Sequence, residues 1–133
     1  MRKPERSVPD TNTIVRYLVG DDPTLAAEAV SFFDDVRKGD LKALILESVI
    51  AECVYVLTKI YRAPRARVAA SLIDMLRYKG VVNEDREELI RALTLFSEKR
   101  LDIVDCVLLA KAAARGDRLF TFDADLRKLA ERA

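Results

Sequence analysis

Four carboxylate side chains spread along the chain could do chemistry together: Asp10, Glu52, Asp105 and Asp123. Asp10 follows a short extended run that ends at Val8, and Asp123 follows the alternating, aromatic-rich run 118–122. If both runs are parallel neighbours in a sheet, their carboxyl ends place Asp10 and Asp123 at one edge, where ligands bind in α/β folds. For each of the two, helix capping is the alternative, because Asp is a good N-cap.

Glu52 and Asp105 lie inside strongly apolar stretches. Glu52 interrupts the run VIAECVYVL, and burying a carboxylate there without a partner would be costly. Asp105 precedes Cys-Val-Leu-Leu-Ala, so we expect the first turn of its helix to lie near the sheet. The alternatives are a solvated position for Glu52, and for Asp105 the third helical position of a start capped by Asp102.

Four carboxylates at one edge would repel one another unless some were protonated or a cation neutralised them. The chain has no histidine, and Cys53 and Cys106 sit in apolar helical patterns typical of reduced core thiols. Ligands that are all oxygen favour a hard ion, Mg²⁺ or Mn²⁺. A metal-bound water is then the most plausible nucleophile, and hydrolysis of a phosphodiester the natural reaction.

Short strands alternate with amphipathic helices along the sequence. Four strands are predicted: one that ends at Val8, and three at residues 41–46, 81–82 and 118–122. Helices fill the intervals between them. This order predicts right-handed crossovers and a parallel sheet covered by helices on both faces. A chain of 133 residues is long enough for one hydrophobic core and short for two, so we expect residues 1–133 to form one domain.

The charges nearly cancel, with 23 basic and 22 acidic residues, so any nucleic-acid binding would need a local basic patch. The candidate phosphate contacts are Arg16, Arg62, Arg65, Arg67, Lys99 and Arg100. No apolar run approaches the roughly 18 residues of a membrane span, and no signal-peptide pattern begins the chain. We therefore expect a cytoplasmic protein with no membrane partner.

Four short motifs, each containing one of the candidate acids, follow one another along the chain. They are Pro9-Asp10-Thr11-Asn12, Glu52 within residues 50–57, Ile103-Val104-Asp105-Cys106, and Thr121-Phe122-Asp123-Ala124-Asp125-Leu126. Each motif is short, but together they span nearly the whole chain, and their order and spacing match those of one protein family. The sequence in this respect resembles the PIN-domain family, specifically the VapC-type toxins of toxin–antitoxin pairs.

The resemblance implies an α/β fold, a three-layer α/β/α sandwich whose central parallel sheet has four strands in the order 3-2-1-4, with a fifth edge strand in many relatives. The present sequence departs from that pattern at residues 126–133, where relatives often continue into a last short strand. The resemblance also implies a ribonuclease dependent on Mg²⁺ or Mn²⁺, usually a homodimer, that a cognate antitoxin protein inhibits.

Carried over to this chain, the resemblance makes Asp10, Glu52, Asp105 and Asp123 the catalytic quartet, with Asp10 and Asp105 as direct metal ligands. The antitoxin would dock on the apolar helices between Val30 and Ile60.

Two other functions remain as alternatives. One is a non-catalytic PIN-like module that binds RNA or a protein, against which the intact quartet argues. The other is a phosphatase or phosphotransferase with Asp10 as nucleophile. That chemistry favours a second acid two residues later, where Asn12 stands.

Overall fold

The computed structural model describes residues 6–132, which form seven α-helices joined by short connections. The helices are α1 (Thr11–Val19), α2 (Pro23–Lys38), α3 (Glu47–Tyr55), α4 (Arg65–Leu76), α5 (Arg86–Glu98), α6 (Ile103–Arg115) and α7 (Ala124–Arg132). A π-helical turn, Val56–Ile60, continues α3 directly. Helix α5 packs between α4 and α6, while α1 packs on α2 and α3.

The predicted central parallel sheet, and with it the three-layer α/β/α sandwich, is wrong. Within residues 6–132 there is no strand, only two isolated parallel bridges, from Ser7 to Ala43 and from Ala43 to Val81. Four backbone hydrogen bonds make these bridges, and they join three of the four segments that we predicted as strands. The fourth segment, residues 118–122, makes no backbone–backbone hydrogen bond to the described part of the chain.

Pro9 and Asn83 prevent the two bridges from extending into longer strands. On the first segment Pro9 has no N–H to donate. On the third, the side chain of Asn83 takes over the next step, because its Oδ1 accepts from Ile45 N at 2.9 Å and its Nδ2 donates to Ile45 O at 2.6 Å. Residues 118–122 would have only the short stretch before Pro9 as a neighbour in the predicted order. The aromatic rings of Phe120 and Phe122 are instead 71% and 90% exposed.

Helix ends follow local capping signals in the sequence. Asp22 caps α2 by accepting hydrogen bonds from Thr24 N and Leu25 N, at 3.1 and 3.2 Å, and Pro23 takes the first helical position. Gly39 ends α2 in the left-handed conformation, at φ 88°, and Gly116 ends α6 in the same way at φ 68°.

A continuous hydrophobic core forms beneath the helices. It contains the fully buried side chains of Ile14, Phe33, Ile45, Leu72, Leu76, Leu89 and Leu93. Cys53 and Cys106 are buried in it as free thiols, as predicted. None of the helices described here is long and apolar enough to cross a membrane.

Gly80 is the point of closest backbone approach. Its N–H donates to Val36 O at 2.8 Å, and its carbonyl accepts from Ala43 N at 2.8 Å. A Cβ at this position would lie 2.0 Å from Leu41 O and 2.6 Å from Val36 O. Because both neighbours are backbone atoms, neither can move aside alone.

We expect Gly80→Ala to lower the free energy of unfolding by about 3 kcal/mol or more, since the added methyl group forces the backbone apart. Gly116→Ala is the matched control, because a Cβ there meets open space and the cost is only the left-handed backbone, about 1–2 kcal/mol. Urea unfolding of both variants measures the difference. Equal losses would contradict the close approach at Gly80.

Candidate functional site

Asp10 is the N-cap of α1. Its Oδ1 accepts hydrogen bonds from Thr13 N at 2.9 Å and from the Thr13 hydroxyl at 2.7 Å. The backbone bond from Thr13, followed by the side-chain bond, lowers the pKa of Asp10, so the group is a carboxylate at neutral pH. Its second oxygen, Oδ2, accepts no hydrogen bond from a described residue, and the side chain is exposed. Asp10 therefore caps the helix with one oxygen and keeps the other for a ligand.

Glu52 lies in α3, exposed to solvent despite its apolar neighbours, so the solvated position is confirmed. It lies next to the buried thiol of Cys53, on the helix α3 that packs against α1. Burial first, and then the charges of Glu52 and Asp10, raise the pKa of Cys53 to about 12. Since both charges act on one thiol, α1 and α3 bring Asp10 and Glu52 to the same region.

Asp105 lies half-buried in the first turn of α6. Asp102 occupies the N-cap position, as predicted, but its side chain makes no capping hydrogen bond. Burial raises the pKa of the neighbouring Cys106 thiol to about 11, opposed by the Arg65 cation and supported by the charges of Asp105 and Asp102. No described residue forms an ion pair with Asp105, so its negative charge has no basic partner in this part of the chain.

Asp123 is the cap of α7, since its Oδ1 accepts from Leu126 N at 3.0 Å. Its own N–H donates to the Thr121 hydroxyl at 3.1 Å, so Thr121 stabilises the turn locally. Arg127 also donates to Thr121 O at 2.7 Å. The capping interpretation of Asp123 is confirmed, and its carboxylate is exposed at the end of the unpaired segment 118–122.

Within residues 6–132, no three acidic or cysteine side chains lie close enough together to hold a metal ion. The predicted assembly of all four acids at one rim is therefore not present as a ligand cage. The donor chemistry still suits a hard cation, because Asp10, Glu52 and Asp105 are oxygen donors and none is paired with a described basic side chain. Mg²⁺ typically needs only one or two carboxylates and keeps several waters.

A second group of acids, which the sequence reasoning missed, is already neutralised. The Lys111 Nζ on α6 lies 3.0 Å from Glu47 Oε1, 3.0 Å from Asp85 Oδ2 and 3.6 Å from Glu88 Oε2. Burial alone would raise the pKa of Asp85, but hydrogen bonds from Asn83 and Lys111 outweigh it and lower that pKa. Asp85 lies three residues after the predicted strand 81–82, and nothing local in the sequence links it to Lys111, 26 residues later.

Arg65 was a candidate phosphate contact, and the structure commits it to the protein itself. Its guanidinium donates to the carbonyls of Phe96, Lys99 and Leu101, at 3.0, 2.9 and 2.6 Å from Nη2. It also stacks over the Phe96 ring, 3.5 Å from the centroid. Arg65 thereby satisfies carbonyls at the end of α5 and fixes the connection that leads into α6 and Asp105.

Comparison with protein families gives one match, to the PIN domain, over residues 7–132. Comparison with curated proteins and with solved structures gives no significant match. The family match includes all four candidate acids.

We expect the two thiols to weaken the fold at alkaline pH. Their folded pKa values, about 12 and about 11, lie above the ordinary value of 9, so their contribution is complete below pH 9 and is lost as the pH rises towards 11–12. Between pH 8 and 10 the free energy of unfolding should fall by on the order of 1 kcal/mol per cysteine.

Urea unfolding at both pH values measures this loss, with the double variant Cys53→Ala/Cys106→Ala as reference. That variant removes the two thiols but retains Tyr78, whose pKa burial also raises. Parallel pH dependence in the two proteins would contradict the assignment.

Proposed function

The chain belongs to the PIN domain family, whose members are generally nucleases, and we propose that it is a divalent-metal-dependent endoribonuclease that hydrolyses RNA phosphodiester bonds. One observation carries the proposal. Asp10 caps α1 with Oδ1 alone, Glu52 lies exposed on α3, which packs against α1, and no described basic residue forms an ion pair with either carboxylate. Carboxylates with free oxygens on packed neighbouring helices can take a divalent cation as their shared counter-charge.

We assign the roles according to which carboxylate oxygens accept no hydrogen bond from a described residue. Asp10 and Asp105 are the proposed direct ligands of Mg²⁺ or Mn²⁺, because Oδ2 of Asp10 and the Asp105 carboxylate accept no hydrogen bond from a described residue. Glu52 and Asp123 complete the proposed catalytic set, with Asp123 using one oxygen to hold α7. When bound, the ion supplies the positive charge that activates water and steadies the charged phosphate.

The resemblance to VapC-type sequences supports a finer proposal, that the protein is the toxin of a toxin–antitoxin pair and acts as a homodimer. In place of the helices between Val30 and Ile60 predicted from the sequence, we propose that the antitoxin docks in a cavity of about 380 Å³ between the start of α1 and α2, where apolar side chains lie beside Arg16 and Glu28. Its lining includes Val8, Pro9, Leu25 and Phe32, together with Asn12 beside Asp10. A partner bound there would lie beside the start of α1, which Asp10 caps.

The alternative, a PIN-like binding module without catalysis, predicts RNA binding with neither cleavage nor a metal site. Calorimetric titration with Mg²⁺ or Mn²⁺ separates the two, because the ribonuclease needs a binding site at millimolar ion concentrations or below. A thermogram with no binding, together with intact RNA, would favour the module.

We expect Asp10→Asn to keep the fold and abolish cleavage. Asn is as good an N-cap as Asp, so α1 is retained. Loss of groups that merely orient ligands already costs about 10–100-fold, so loss of a direct ligand should cost at least on the order of 100-fold. Asp22→Asn is the matched control, since it makes the same change at the cap of α2 and should leave the rate unchanged.

The measurement is cleavage of a fluorescent single-stranded RNA with Mg²⁺, alongside thermal unfolding of each variant. An Asp10→Asn protein that cleaves at the native rate would overturn the metal assignment. Cleavage lost equally in Asp22→Asn would point to a folding defect instead.

The toxin proposal predicts that expression of the protein alone arrests growth, that Asp10→Asn relieves the arrest, and that an adjacent open reading frame encodes a protein that co-purifies. Replacing Phe32 by Glu in the α1–α2 cavity should abolish co-purification, because a charge would be buried against the partner. Sequencing the 5′ ends of cleaved RNA after brief expression identifies the substrate. Growth without arrest, and no co-purifying protein, would reject this role.

A further inference from the structure

A continuous exposed stripe leads away from Glu52 along α3 and the π-helical turn. Tyr55 follows Glu52 by three residues on the same face of α3, and Lys59 and Ile60 lie in the π-helical turn that continues it. All four side chains are exposed, Tyr55 at 60% and Ile60 at 65%. The opposite face, with Cys53, Val54 and Leu57, is buried in the core. The register of α3 is therefore fixed by its buried side, and the stripe faces outward.

The stripe continues into Tyr61 and Arg62, which are also exposed. The Tyr61 hydroxyl donates to Asp21 Oδ2 at 3.3 Å, which ties this end of the stripe to the connection between α1 and α2. Arg62 has a positive φ of 55°, so the chain turns sharply there before α4. We call Tyr55, Lys59, Ile60, Tyr61 and Arg62 the Tyr55–Arg62 face.

Along the sequence, this region carries only positive charge, although Asp21 contacts one end of it through Tyr61. No acidic residue occurs between Glu52 and Asp74, whereas the interval contains Lys59, Arg62, Arg65 and Arg67. Arg65 is committed to backbone carbonyls, but Lys59 and Arg62 are exposed and form no ion pair with a described residue. In a chain whose net charge is only +1, this is a local basic surface that begins beside a candidate catalytic acid.

We propose that the Tyr55–Arg62 face binds single-stranded RNA and leads it to Glu52 and Asp10. Tyr55 stacks on a base, and Lys59 and Arg62 contact backbone phosphates. Alternation of exposed aromatic and basic side chains is typical of single-strand binding, because every base offers a π-face and every nucleotide a phosphate. This inference rests on the proposed ribonuclease function and names the residues that hold its substrate.

The spacing along α3 suits that task. Tyr55 lies about 5 Å along the axis from Glu52, from the α-helical rise of 1.5 Å per residue, and Lys59 lies beyond it in the π-helical turn. A base stacked on Tyr55 would thus belong to a nucleotide adjacent to the one at the carboxylates. Lys59 favours RNA over a protein partner, because lysine is depleted at protein interfaces whereas its charge suits a backbone phosphate.

RNA binding is measured by fluorescence anisotropy in EDTA, where no cleavage occurs, with a short labelled single-stranded RNA. Tyr55→Ala should weaken binding roughly 5- to 100-fold, whereas Tyr55→Phe should retain it. Lys59→Ala/Arg62→Ala should lower the slope of log K against log salt by about 1.4, at about 0.7 per phosphate contact. Lys128→Ala, at an exposed lysine of α7, is the control and should change neither quantity.

A second measurement reports contact directly. The chain has no tryptophan, so Tyr55→Trp introduces a single indole, whose fluorescence a stacked base should quench on titration with RNA. In Mg²⁺, Tyr55→Ala should raise KM for cleavage and leave kcat within about twofold, since Tyr55 touches substrate away from the reacting bond.

The outcomes separate this inference from the ribonuclease proposal. Native cleavage, with all variants binding RNA like the native protein and no quenching, would overturn the RNA-binding face and leave the ribonuclease standing. Binding that depends on Tyr55, without cleavage under any metal, would support the face and reject the ribonuclease. Variants that bind RNA normally but lose a co-purifying protein would show that the face binds a protein, which also overturns the inference.

Discussion

The side-chain amide of Asn83 is bonded to both backbone polar groups of Ile45, and the centre of the molecule depends on this pair. Among the described residues Asn83 is the one polar side chain that is buried. A buried backbone N–H or C=O without a partner is costly, so an extended segment inside a helical protein needs a substitute for a neighbouring strand. Asn83 is that substitute. Its Nδ2 also donates to Asp85 at 3.0 Å, and Asp85 binds Lys111 on α6, so one network connects the centre to the helices.

The same network divides the acids of the protein into two groups. Glu47, Asp85 and Glu88 surround Lys111 and stabilise the packing of α3, α5 and α6, at a partly exposed position where each pair contributes modestly. The Asp10 and Glu52 carboxylates form no ion pair with a basic side chain of residues 6–132. Within those residues Lys111 neutralises the first group, and the second group is the one to which we assign the metal ion. Acidic composition alone could not make this distinction.

Much of the helical structure could be predicted from the sequence, because helix ends are determined locally. Asp22 and Gly39 bound α2 through contacts within four residues, and capping by Asp10 and Asp123 was considered on the same local basis. The strand predictions failed because pairing is non-local. The alternating run 118–122 has the composition of a strand, but no neighbouring segment in the described chain offers it a ladder. The Lys111 group was missed for the same reason, since 26 residues separate Lys111 from Asp85.

The unpaired run 118–122 also bears on how the protein behaves in concentrated solution. Free backbone groups beside the exposed rings of Phe120 and Phe122 are a template for edge-to-edge association between copies. Segments that form tightly zipped aggregates are usually six or seven residues long and carry little charge. Here Asp117 and Arg118 precede the rings, and Asp123 and Asp125 follow them. We expect these charges to oppose aggregation, because they leave an uncharged aromatic segment too short to form a stacked sheet between copies.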